Sequence, residues 1–134
     1  MSVIKSETLG LHTSEDIVRV RQAVRAWMVE MQFSLVDQTK MVTAASELAR
    51  NAVEYGGGGS ARLEALADGG RSGIRLMFED RGPGIPDIDQ ALKNGYTTGG
   101  GLGLGLGGAK RLVNEFEIWS VPGEGTRVTI ARWK

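Results

Sequence analysis

Three short segments carry residue types that could do chemistry together. In "SELARNAVEY", Glu47 and Asn51 stand four residues apart, so on a helix they lie one above the other on one face. A carboxylate there can take a proton, and an amide oxygen is a hard donor of the kind Mg²⁺ prefers. In "FEDRGPGIP", the alternation of Leu76 and Phe78 leads to Asp80 at the expected end of a strand, followed by Gly82 and Gly84 around Pro83. Those glycines let backbone approach a flat ligand with no Cβ in the way. The carboxylate can accept a hydrogen bond from an exocyclic amine such as that of adenine. The third segment, "GYTTGGGLGLGLGGAKRL", places eight glycines between Gly95 and Gly108. Amides at Gly99, Gly100, Gly101, Gly103 and Gly105 can point one way, ahead of a helix whose N-terminus is positive, which is a cradle for phosphate.

That glycine segment is neither of two familiar phosphate loops. No G-K-[ST] follows, so it is not a Walker A loop, and a helix rather than a strand precedes it, so it opens no Rossmann unit. A linker combines glycine with serine, whereas Leu102, Leu104 and Leu106 alternate with glycine here. Exposed leucines would be costly, so the loop is expected to order against the body. A fourth segment, "GEGT" at Gly123 to Thr126, reads as a hairpin turn that brings a hydroxyl beside the sheet. Each segment also has a plainer reading. Glu47–Arg50 and Arg50–Glu54 suit ion pairs on a solvated helix face, Asp80 a capped turn, and the glycines a flap.

The elements that must position these residues follow from periodicity and caps. Residues 2–11 alternate weakly as a strand. Thr13 caps a helix whose Ile17, Val20, Val24, Trp27, Met28 and Met31 recur at helical spacing. Ser34 caps a second helix with Asp37 as a capping-box acid, and that helix ends at Gly56. Met41, Ala45, Leu48 and Ala52 mark its buried face, opposite Glu47 and Asn51. "SARLEALAD" and "GIRLMFED" form a hairpin, "DIDQALKNG" a short helix, and "GGAKRLVNEF" a helix through Ala109, Leu112, Val113 and Phe116. A second hairpin, "FEIWSV" and "TRVTIARWK", closes the chain. This order predicts an α/β two-layer sandwich, with helices packed on one face of a mixed β-sheet.

Composition narrows the classes further. The 134 residues are read as one domain, 1–134, without internal repeats. Sixteen basic residues balance 16 acidic ones, which gives no bulk attraction to nucleic acid or to a membrane surface. The absence of cysteine excludes disulfides and thiolate metal sites, and His12 alone argues against a histidine zinc site or a Ser-His triad. With no signal-type apolar core and no membrane-length apolar run, a cytoplasmic location is expected.

Taken in order, "ELARN", "DRGPG", "GGGLGLGL" and "GEGT" resemble the N box, two glycine boxes and threonine motif of the GHKL ATP-binding superfamily, from about Ser46 to Arg132. Over nearly the whole length, "TAASELARNAVEY", "EDRGPGIPDI" and "SVPGEGTRVTIARWK" resemble the RsbT-like partner-switching serine/threonine kinases of the bacterial stressosome. The resemblance implies a Bergerat-type fold, with ATP and Mg²⁺ as cofactors. It implies Glu47 as general base, Asn51 as Mg²⁺ ligand, Asp80 on the adenine amine, and Gly84, beside Gly82, against the ring. Gly99, Gly100, Gly101, Leu102, Gly103 and Gly105 would form a mobile lid over the phosphates, and Thr126 would hold adenine through its hydroxyl. The implied partners are a STAS-domain antagonist, phosphorylated on serine or threonine, and a PPM-type phosphatase activated by binding. The resemblance stops short of sensor histidine kinases, whose phosphoacceptor helix has no counterpart, and of gyrase-type or chaperone ATPases, whose transducer domain is lacking. An anti-sigma factor of the same fold, a nucleotide-bound binding module without catalysis, and a stand-alone ATP hydrolase are the alternatives.

Overall fold

Thr13 starts the first helix with a full capping box. Its side chain accepts from the Asp16 N–H, and the Asp16 carboxylate accepts in return from the N–H groups of His12 (2.8 Å) and Thr13 (3.1 Å). Those backbone donors hold the Asp16 carboxyl below its ordinary range. Ser34 caps the second helix by accepting from the Asp37 N–H at 3.1 Å. The Asp37 carboxylate is not spent on the cap: it accepts from Arg132 Nη2 at 2.7 Å, at the far end of the chain.

The computed structural model describes residues 1–93 and 105–134. Strand β1 (Ser2–Leu11) leads into helices α1 (Ser14–Glu30) and α2 (Leu35–Glu54), then strands β2 (Gly59–Asp68) and β3 (Arg71–Asp80). Two short helices, α3 (Ile88–Ala91) and α4 (Gly105–Arg111), precede strands β4 (Glu115–Val121) and β5 (Gly125–Trp133). The five strands form one sheet in the order β1-β2-β3-β5-β4.

The two-layer arrangement is the expected one, but the sheet is antiparallel in every pair rather than mixed. Two helices separate β1 from β2. One carries the chain back along the sheet and the other returns it, so β2 starts where β1 ended and runs the opposite way. β3 and β4 run in the same direction, yet β5 is inserted between them, and no parallel neighbours result.

From α1, Val20, Val24, Trp27 and Met28 pack inward, and from α2, Met41, Ala45, Leu48 and Ala52. They meet Leu63, Ile74, Leu76 and Ile130 of the sheet. Trp27 and Met28 are therefore core, and each large apolar side chain so buried contributes about 1.5–3 kcal/mol. The helix expected through Phe116 is shorter. It stops at Arg111, and Phe116 belongs to β4, where it and Ile118 face the core as alternate residues. Among the described residues no helix is long and apolar enough to cross a membrane.

Candidate functional site

The last turns of α2, the ends of β3 and β5, the 81–87 loop and the start of α4 surround a cleft of about 390 Å³. Leu48, Ala52, Phe78 and Val128 make its wall apolar; Asn51, Asp80 and Thr126 supply polar groups. Asp87 fixes the far lip by capping α3, its Oδ1 accepting from the Gln90 N–H at 3.0 Å.

Asp80 ends β3 and lies directly opposite Thr126 on β5. Its Oδ1 accepts from the Gly82 N–H at 2.9 Å. Burial pushes the Asp80 carboxyl above its ordinary range, partly offset by the N–H groups of Gly82 and Thr126 and reinforced slightly by Glu79. Three glycines close around this residue. A Cβ on Gly56 would lie 2.5 Å from both Cβ and Oδ2 of Asp80. A Cβ on Gly82 would lie 2.6 Å from Gly56 Cα. Gly125, at φ +132°, would drive its Cβ into the Asp80 carbonyl oxygen. The carboxylate is thus placed by backbone packing.

The loop beyond Asp80 is tied to the β4–β5 turn. The Gly123 N–H donates to Pro83 O at 2.8 Å, and the Ile85 N–H to Ser120 Oγ at 2.7 Å. Gly84 has φ +78°, and a Cβ on it would approach Val121 O to 2.5 Å.

On α2, Asn51 is half-buried and lines the cleft. Glu47, one turn earlier, was expected on a solvated face, but it is only 3% exposed. Arg50 Nη1 donates to its Oε1 at 3.2 Å, so the Glu47–Arg50 pair of the plainer reading forms. Among the described residues Arg50 makes no ion pair with Glu54.

Of the residues singled out by sequence, Asn51, Asp80, Gly84, Gly105 and Thr126 line one cleft. Gly82 stands behind Asp80, and Glu47 lies on the same helix without lining the cleft. Gly99, Gly100, Gly101, Leu102 and Gly103 lie outside the described residues. Leu106 is buried at the cleft, in keeping with leucines that pack down beside glycines. Two residues were missed. Gly56 was taken for a helix stop alone, and Ser120 was given no role. Pairing outward from the "PGEG" turn would have set Ser120 opposite Thr126.

Among the described residues no group of three or more His, Cys, Asp or Glu side chains could hold a metal ion. Two side-chain amides line the cleft, Asn51 on α2 and Gln90 on α3, with no cluster of carboxylates beside them among the described residues. That fits Mg²⁺ carried in with phosphates, since this ion keeps several waters and takes few protein ligands.

The model of the histidine kinase-, DNA gyrase B- and HSP90-like ATPases matches residues 36–134. The chain belongs to this family. It is 48% identical over 121 residues to the serine/threonine-protein kinase RsbT of Bacillus subtilis, covering 90% of this chain and 91% of that one. It is 27% identical over 136 residues to the anti-sigma F factor of Clostridium novyi, covering 96% and 92%. The fold is also found in a third of the chain that holds the RsbU and RsbW domains of Rv1364c from Mycobacterium tuberculosis, with a TM-score of 0.63 at 24% identity, covering 97% of this chain and 33% of that one. Within the ATPase family, the chain is a serine/threonine protein kinase of the partner-switching group, and ATP use follows from the family.

Proposed function

We propose that the cleft binds ATP with its adenine amine on Asp80, and that the γ-phosphoryl group passes to a serine or threonine of a STAS-domain antagonist. The observation that carries this reading is Asp80 itself. It is a carboxylate half-buried at an apolar cleft, where the N–H groups of Gly82 and Thr126 favour its ionised, hydrogen-bond-accepting form against the cost of burial. Gly84 lets the 83–85 loop lie close against a flat ring. Asn51 is the residue that would hold Mg²⁺, which supplies charge neutralisation at the phosphates. The glycine amides of 99–105 are proposed, from sequence, to contact those phosphates.

Glu47 takes the proton of the acceptor hydroxyl. The hydroxyl oxygen bonds to the γ-phosphorus, the bond from that phosphorus to the β–γ bridging oxygen breaks, and ADP leaves with the electron pair. Phosphoryl transfer of this kind is mostly positioning and charge stabilisation. Arg50 holds Glu47 in place on the helix. The antagonist brings its hydroxyl to the mouth of the cleft, and release of that partner frees this chain to activate a PPM-type phosphatase by contact. The proposed setting is the cytoplasm.

The test is transfer of labelled γ-phosphate from ATP to STAS-domain proteins of the source organism by wild type and Glu47→Gln. Labelling by wild type with loss in the variant, at similar ATP affinity, is expected. Undiminished labelling by Glu47→Gln removes Glu47 from the mechanism. No labelling of any STAS-domain protein removes the substrate assignment.

A further inference from the structure

Helix α4 is a poor helix by its own sequence. Three of its seven residues are glycine, each a weaker helix former than alanine, and so short a helix is marginal in water. Yet Gly105 and Leu106 line the cleft, so the shape of one wall depends on what fastens α4 from outside. Along the helix the fastening is close packing: Leu106 and Ala109 are buried, and no Cβ would fit between Gly107 and Leu92 O. At its end a helix leaves carbonyls with no partner inside it. Arg132, reaching across from β5, donates from Nη1 to one of these, Leu112 O, at 2.8 Å.

The same guanidinium donates from Nη2 to Asp37 Oδ1 at 2.7 Å, in the first turn of α2. Arg132 therefore braces two helices that wall one cleft, α4 through Leu106 and α2 through Leu48, Asn51 and Ala52. The brace itself stands outside: neither Arg132 nor Asp37 lines the cleft. Leu112 lies roughly 10 Å along the helix from Gly105. The Arg132 side chain is only 14% exposed, and its Nε is buried with no partner among the described residues. A largely buried guanidinium with an unpaired N–H is a poor source of stability, since apolar side chains often do as well in such places. What it offers instead is a rigid fork that holds two acceptors on different elements at once.

We propose that Arg132 and Asp37 are positioning residues for nucleotide binding. By tying Leu112 O to the first turn of α2, they keep α4 where Gly105 and Leu106 complete the cleft wall. Without the tie α4 occupies that place for less of the time, and apparent ATP affinity falls with the competent fraction. The inference rests on the nucleotide reading of the cleft.

ATP titration, the unfolding midpoint and amide exchange across residues 106–112 without ligand test it, in wild type, Arg132→Met, Asp37→Asn and the double variant. Val24→Ala, which opens a cavity in the α1 core, serves as the control for lost stability alone. Arg132→Met is expected to weaken ATP about tenfold, and Asp37→Asn, which keeps a neutral acceptor, about threefold. Both should speed exchange in α4 more than in the sheet. The double variant should be no weaker than Arg132→Met, because the two residues act through one tie. Val24→Ala should lower the midpoint and leave ATP affinity unchanged. Should Arg132→Met fail to fold, Asp37→Asn carries the test on a side chain that is partly exposed. Unchanged ATP affinity in Asp37→Asn, or a loss in Val24→Ala equal to that of the brace variants for the same fall in midpoint, overturns the proposal. Wild type that does not bind ATP overturns the nucleotide reading itself, a result separate from any of the variants.

Discussion

At the base end of the cleft, Asp80 is held by backbone. Gly56 and Gly125 pack so closely on it, and Gly82 on Gly56, that none of them has room for a methyl group. Towards the other end, on α2, Asn51 lines the cleft half-buried, and Glu47 lies one turn back, almost fully buried and paired with Arg50. The two ends therefore couple to the fold differently. Added bulk at the glycines packed around Asp80 disturbs binding and stability together. An isosteric change such as Glu47→Gln, which adds and removes no bulk, is expected to alter the chemistry and leave the frame standing.

The sharpest way to break this contrast is at Glu47. Loss of a general base typically costs about 10²–10⁴-fold, so Glu47→Gln should reduce phosphoryl transfer by that order while ATP affinity stays within a factor of about two. A large drop in thermal midpoint for this variant would show that the helix end is as tightly tied to the fold as the base end. At the base end the expectation is the reverse. Gly56→Ala should lower stability by about 1–3 kcal/mol, as overpacking does, and weaken ATP in the same variant. Gly125→Ala adds a left-handed φ strain of about 1–3 kcal/mol and should be worse. Chemical denaturation beside ATP titration reads both. Asn51→Ala should remove the Mg²⁺-dependent part of ATP binding and spare more of the metal-free part. Equal loss with and without Mg²⁺ would make Asn51 a structural residue.

A smaller effect is expected with pH. The folded Asp80 carboxyl is raised, mainly by burial, so the folded chain binds this proton more tightly than the unfolded chain. Its contribution to stability is present below the ordinary aspartate range and is lost as pH rises through the raised value. ATP affinity runs the other way, because only the ionised carboxylate accepts from an amine without competition. Affinity should begin to fall on acidification at a higher pH than an ordinary aspartate would give, and Asp80→Asn should flatten that limb.

Much of this architecture was legible in the residues. Thr13 and Ser34 announce their helices because capping is local chemistry, and the alternation into Asp80 puts it at a strand end for the same reason. The misreadings share a different cause. Ala109, Leu112, Val113 and Phe116 fit a helical period, and a seven-residue helix followed by an alternating strand uses the same apolar positions. Nothing local separates the two. The sheet was expected to be mixed because the insertion of β5 between β3 and β4 is a tertiary choice. Gly56 marks a helix end equally well whether or not a carboxylate lies against it, so its contact with Asp80 was out of reach. Glu47 is buried although its helix face carries Arg50 and Glu54, because burial there comes from the surrounding fold. Ser120 is the instructive miss: register alone puts it beside Thr126.

The most direct measurement is calorimetric titration of ATP into wild type and Asp80→Asn, with the ligand-free unfolding midpoint of each. Losing a charge-assisted hydrogen bond costs roughly 1.5–3 kcal/mol, so ATP affinity should fall by about ten- to a hundredfold. The midpoint should hold or rise at neutral pH, because the buried carboxylate opposes folding there. Unchanged ATP affinity in Asp80→Asn would contradict the assignment of this cleft to the adenine base.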